Sequence, residues 1–186
     1  GYALARTKTK MGNRMFLFFL AGLIVPFQMN IVSLYKIVKS LHLMNTPFAV
    51  ILVNVAINTP QAVFLFKEFI EGTVPKELEE AAVIDGCNPW QVFTKIMVPV
   101  TRSSLASLAI FTALFAWKDL MWPLIANNDL NRMPLAPGLT VLQGICNNNK
   151  GALMAGSVIA TVPMLLLYIA CQKQFIEGIA QTGIKG

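Results

Sequence analysis

The chain has 186 residues, 55% hydrophobic and only 13% charged, with a mean hydropathy of +0.61. A soluble domain carries about 25% charged residues, so this composition points to a bilayer protein and away from a soluble enzyme. The net charge of +6 forms no basic stripe with interleaved aromatics, which argues against a nucleic-acid partner.

Four stretches lack Asp, Glu, Lys and Arg: 15–35, 40–66, 103–117 and 151–172. Roughly 20 apolar residues cross a bilayer core, so spans are expected at about 15–36, 45–67, 102–125 and 151–172, the third only if it runs past Lys118-Asp119. Arg6, Lys8, Lys10, Arg14, Lys67, Lys76, Lys95, Arg102, Lys173 and Lys185 would share one side, against Lys36, Lys39, Lys118, Arg132 and Lys150 on the other. The positive-inside bias then places the N-terminal residues, a 71–100 loop and a 173–186 tail in the cytoplasm, and a 126–150 loop outside.

In the first span Pro26 stands near the middle, followed by Gln28 and Asn30, and the freed carbonyl suits a bundle interior. In the second, Asn54 and Asn58 share a helical face ahead of Pro60. That pair suits an interhelical hydrogen bond as well as the wall of a polar translocation path. In the 71–100 interval, Pro75 suits a first helical turn and Glu77, Glu79 and Glu80 favour its positive end. Leu78, Ala81, Ala82 and Asp85 follow one face, Gly86 is placed as a C-terminal cap, and Asn88-Pro89 opens a second helix carrying Trp90, Phe93 and Met97. Periodicity alone leaves this unit open between a docking element and an interfacial anchor.

Trp117 and Trp122 fit an aromatic belt with Lys118 snorkelling outward, about 24 Å along from Arg102. Lys118-Asp119 inside or beside a span is also a default functional candidate. The 126–150 loop, with Pro134 and Pro137-Gly138, is expected to be a folded turn region. Ala152, Gly156 and Ala160 form a small-xxx-small row. Cys87, Cys146 and Cys171 have no metal spacing, His42 is the sole histidine, and Gly178 to Lys185 fails as a P-loop because Ile184 intervenes. No catalytic residue, metal or cofactor is expected.

Glu80-Ala81-Ala82, Asp85-Gly86 and Ile96 to Pro99 give E-A-A-x-x-x-G-x9-I-x-x-P, which resembles the cytoplasmic EAA loop of bacterial ABC importer permeases. With Tyr2 to Arg6, Val74 to Gly86, Trp117 to Pro123 and the ending Phe175 to Gly178 through Gly183 to Gly186, the chain is similar to the smaller permease subunit of carbohydrate-type, maltose-permease-like importers. Such permeases usually have six helices, so the resemblance implies an all-α polytopic bundle of helices three to six, in a fragment lacking the N-terminal part. It implies a bacterial or archaeal cytoplasmic membrane, a second permease subunit in a heterodimer, two ATPase subunits that hydrolyse the ATP, and an extracytoplasmic solute-binding protein. Glu80, Ala81, Ala82, Asp85, Gly86, Ile96 and Pro99 would dock on an ATPase subunit. The 126–150 loop would meet the binding protein and the tail the ATPase interface. Gln28, Asn54, Asn58 and Asp119 are the polar candidates for the path. The family often has Asn where Lys118 stands. A non-sugar solute (glycerol phosphate, an amino acid or an osmolyte) and a non-transporting scaffold are the alternatives.

Overall fold

The computed structural model describes residues 1–7, 9–145 and 150–183, with side chains for 1–7, 9–144 and 150–172. Cys146 and the side chains of the 173–186 tail motif lie outside the described residues. The fold is helical: α1 Tyr2–Arg6, α2 Lys10–Ile24, α3 Phe27–Ser40, α4 Pro47–Thr73, α5 Glu77–Ile84, α6 Pro89–Val100, α7 Arg102–Lys118, α8 Met121–Ala126, α9 Leu135–Ile145 and α10 Lys150–Gly183. No β-strand occurs among the described residues. Pro47–Thr73 and Lys150–Gln172 are each long and apolar enough to cross a membrane. Two bent pairs, α2 with α3 and α6 with α7, pass the same test when each pair is counted as one span.

Proline decides where α2 stops. Pro26 carries no N–H and disfavours helical backbone at Val25, so the chain leaves the helix there and restarts at Phe27 from an extended Pro26 (ψ 133°). The stretch read as one element with a central proline is therefore two helices. Pro60, by contrast, is carried inside α4, and Pro163 inside α10.

The chain divides into two compact units. The first comprises residues 1–23, 59–110 and 171–186, and Ala5, Ile70, Val74, Ala82, Val92 and Met97 form its apolar core. Glu79 ties it together. Its carboxylate accepts from Arg6 Nε and from Tyr2 Oη at 2.8 Å, while Arg6 Nη2 donates to the Val74 carbonyl at 2.8 Å. Burial, and then the hydrogen bond to Glu79, push the Tyr2 phenol up to about 12, so at neutral pH it remains the donor. On α2, Gly22 faces Pro60: a Cβ there would lie 3.2 Å from the proline ring. Phe16 stacks on Phe64, with Lys67 Nζ 4.4 Å from the Phe16 ring centroid.

The second unit, 24–58 and 111–170, is centred on Trp122 with Val38, Ala49, Val53 and Ala126. Trp122 is fully buried, donates from Nε1 to the Ala49 carbonyl at 2.9 Å, and meets Phe27 edge-on. It is a core residue of this unit, not a belt residue: α7 ends at Lys118 and α8 restarts at Met121, and the restarted helix packs Trp122 against Val38, Ala49 and Val53. Trp117 is the partly exposed one and reaches the Ala160 carbonyl at 3.2 Å. The 126–150 stretch is more than turns: Pro137 and Gly138 fall in the first helical turn of α9, where proline is tolerated. On α10, Leu153, Gly156, Ala160, Met164 and Leu167 make the half-buried stripe. A Cβ on Gly156 would stand 2.4 Å from Leu139 Cδ2, so this part of the small-residue row receives α9.

Glu79→Ala is expected to cost about 2 kcal/mol in thermal or denaturant unfolding, since it strands a largely buried guanidinium. Glu80→Ala, at an exposed neighbour, should stay within about 0.5 kcal/mol; equal losses would refute the tie. Gly156→Val is expected to lose about 2 kcal/mol by overpacking against Leu139. Gly138, with nothing within 4 Å of its Cβ position, should accept alanine without loss in the same melts.

Candidate functional sites

The first site is the turn that joins α5 to α6. Asp85 caps α5 and Gly86 takes the left-handed conformation (φ 82°) that glycine adopts without a Cβ penalty. Cys87 N–H returns to the Ala82 carbonyl at 2.9 Å and Gly86 N–H to that of Val83 at 3.0 Å, the paired bonds of a Schellman ending. One residue later Asn88 begins α6 with a reciprocal capping box: its Oδ1 accepts from Gln91 N–H, and Gln91 Oε1 accepts from Asn88 N–H, both at 2.9 Å. Nothing lies within 4 Å of a Cβ placed on Gly86, so the glycine is required by φ and not by crowding.

The motif residues separate by burial. Glu80, Ala81, Asp85, Gly86 and Pro99 are exposed, whereas Ala82 is buried and Ile96 packs partly buried on the first unit's core. Val83, Ile84 and Trp90 are apolar yet exposed, Ile84 at 85% and Trp90 at 71%. Beside them runs an open groove of about 420 Å³ lined by Glu79, Glu80, Val83, Ile84 and Pro89 among others. This is a helix–turn–helix, capped on both sides of the turn, with an apolar, acid-edged outer face. Sequence periodicity placed Trp90, Phe93 and Met97 on one face, but Val92 and Met97 are the buried pair. The reason is that Val92–Met97 forms a π-helical segment, whose wider turn shifts the phase. The segment ends just before Pro99, which has no N–H to return to the helix. Thr101 then closes α6 by giving both its N–H and its hydroxyl to the Met97 carbonyl, at 2.9 and 2.7 Å, and α7 leaves at a 70° bend.

The second site is polar and lies within the second unit. Asn54 Nδ2 donates to its own helix at the Val50 carbonyl (3.2 Å) and to Asp119 Oδ2 (3.1 Å), and Asn58 Nδ2 donates to the Asn54 carbonyl (2.8 Å). Both asparagines are buried. Asn54 Oδ1 is buried with no partner in the chain. Asp119 sits at the break between α7 and α8, so the interrupted helix delivers a carboxylate to α4. The structure thus joins Asn54, Asn58 and Asp119. Gln28 is exposed in the first turn of α3 and makes no hydrogen bond with them. Sequence reasoning missed Asn127, fully buried with both side-chain polar atoms unpaired, and Glu79; the local signal marks neither among its neighbouring asparagines and glutamates. Among the described residues no cluster of His, Cys, Asp and Glu could hold a metal ion.

A family model for the binding-protein-dependent transport system inner membrane component matches residues 1–180. The chain is 42% identical to the arabinooligosaccharides transport system permease protein AraQ of Halalkalibacterium halodurans, over 188 residues covering 100% of this chain and 66% of that protein. It is 33% identical to the melibiose/raffinose/stachyose import permease protein MelC of Bacillus subtilis, over 100% of this chain and 67% of that one. It is 30% identical to the diacetylchitobiose uptake system permease protein DasC of Streptomyces coelicolor, again over 100% and 67%. The chain spans about two thirds of the length of these relatives. It belongs to the family of inner-membrane components of binding-protein-dependent transport systems.

Proposed function

We propose that the chain is part of the permease subunit of an ABC importer that carries a carbohydrate, an oligosaccharide above all, across the cytoplasmic membrane. Separate ATPase subunits would supply the energy, a second permease would complete the pathway, and an extracytoplasmic binding protein would deliver the solute. The solute class rests on the names of the similar permeases, each of which handles an oligosaccharide or disaccharide by name.

The observation that carries the energising step is the exposed apolar face of α5 and α6, with Ile84 and Trp90 projecting from a turn capped on both sides. A rigid unit transmits a displacement instead of absorbing it, which is what coupling to a nucleotide-driven partner requires. The proposed spans are 15–36, 45–67, 102–125 and 151–172, with 71–100 and the 173–186 tail cytoplasmic and 126–150 outside. Asn54, Asn58 and Asp119 are proposed to line the path, with Gln28 further along it.

In the full-length importer, Ile84→Arg combined with Trp90→Ala should lower co-purification of the ATPase subunits at least about tenfold, on the scale of two lost apolar anchors. Uptake should vanish while the permease still inserts; unchanged uptake would return the unit to a scaffold role. In a background with Cys87, Cys146 and Cys171 replaced by serine, His42→Cys should label in intact cells with a membrane-impermeant maleimide. Glu80→Cys should label only after permeabilisation, and the reverse pattern would invert the topology.

A further inference from the structure

Helices α3 and α5 end in the same way, but on different residues. After Leu41, Leu43 N–H returns to the Val38 carbonyl at 3.1 Å and His42 N–H to that of Lys39 at 3.0 Å, the same paired bonds that close α5. At the position Gly86 fills in α5, α3 places His42 at φ 54°, and Asn45 follows at φ 60°. A left-handed histidine where glycine would fit without penalty is a local rule broken, and such breaks collect at functional positions. Here the imidazole lines an open pocket of about 340 Å³ with Tyr35, Lys39, Met44, Asn45 and Asn128.

The charge around this pocket is unbalanced. Residues 24–58 and 111–170 contain Lys36, Lys39, Lys118, Arg132 and Lys150, but only Asp119 and Asp129 as acids. Asp129 lies 3.6 Å from Arg132, and Asp119 accepts from Asn54. Among the described residues no carboxylate pairs with Lys36 or Lys39; Lys39 Nζ lies 5.7 Å from the Tyr35 ring centroid instead. Met29, Val32, Lys36 and Lys39 recur at three- and four-residue spacing, one face of α3, and all four are exposed. That face changes from apolar to doubly cationic as it approaches the pocket. Cations at the outward end of a span run against the positive-inside bias, so their presence asks for a local anion.

We infer that this pocket binds the phosphodiester headgroup of an anionic phospholipid in the outer leaflet. Lys36, Lys39 and His42 meet the phosphate, the Asn45 and Asn128 amides meet headgroup hydroxyls, and an acyl chain lies along Val32 and Met29. A lipid is favoured over a soluble anion because the cations top a continuous exposed apolar face, which a free ion would leave uncovered. The inference rests on the membrane placement proposed above.

Native mass spectrometry of the purified full-length assembly, titrated with phosphatidylglycerol, phosphatidylethanolamine or inorganic phosphate, tests it. Saturable retention of phosphatidylglycerol over phosphatidylethanolamine is expected, weakened about fivefold by Lys39→Gln and further by Lys36→Gln. His42→Gly should preserve or raise thermal stability, because glycine suits that φ, yet still reduce retention several-fold. Retention unchanged in the double lysine variant or in His42→Gly would overturn the inference. So would equal retention of phosphatidylethanolamine, or displacement by inorganic phosphate or a neutral oligosaccharide at matching concentration. The mass shift reads neither uptake nor sidedness, so this inference and the import reading fail separately.

Discussion

Between Ile84 and Pro89 one helix must end and another begin, and the orphaned carbonyls of the first meet the orphaned amides of the second. The chain resolves this with back-to-back caps that share almost no residues. Val83 and Ala82 carbonyls are taken by Gly86 and Cys87, and the amides of Asn88 and Gln91 are taken by each other's side chains. Four of the turn's backbone groups that face a helix end are thus met from within six residues of chain. The exposed side chains Val83, Ile84 and Trp90 are therefore held by backbone geometry, and the Arg6–Glu79–Tyr2 contacts fix the whole element to the rest of its unit.

The same economy appears elsewhere, with side chains standing in for backbone. Thr101 doubles the closure of α6 at Met97, Trp122 adds a donor at the Ala49 carbonyl, and Asn54 and Asn58 turn their amides onto carbonyls of their own helix. In hydrocarbon each polar group must find a partner within the protein, so a helix can break only where such a substitute is at hand. Breaks at Thr101 and Asp119 are of this kind: Thr101 gives its hydroxyl to the Met97 carbonyl, and Asp119 accepts from Asn54.

What was legible in the sequence followed from local rules. Gly86 needs positive φ, Asn88-Pro89 is a cap and first turn, and both stand as expected because neighbours within four residues determine them. The burial of Trp122 and the choice of Glu79 over Glu77 or Glu80 were not legible. They depend on partners 73 and 77 residues distant, Ala49 and Tyr2, about which local periodicity carries no information. The phase of α6 failed for a third reason: a π-helical segment breaks the 3.6-residue repeat on which any face assignment rests. Asn54 and Asn58 show both sides at once, since their shared face was read correctly while the link to Asp119 had to come from the fold.

The hydrogen bonding at that second site also bears on the kind of solute the proposed path suits. Asn54 gives its two amide protons to the Val50 carbonyl and Asp119, and Asn58 gives one of its two to the Asn54 carbonyl. Two acceptors stand out in the set: Asn54 Oδ1, buried with no partner in the chain, and the Asp119 carboxylate, which forms no ion pair among the described residues. If this set lines the path, as proposed, an anionic solute would meet a carboxylate with no cation paired to it, whereas a neutral hydroxyl could donate to it. Under that proposal the electrostatics would disfavour glycerol phosphate relative to an uncharged sugar, an argument separate from the resemblance to sugar permeases.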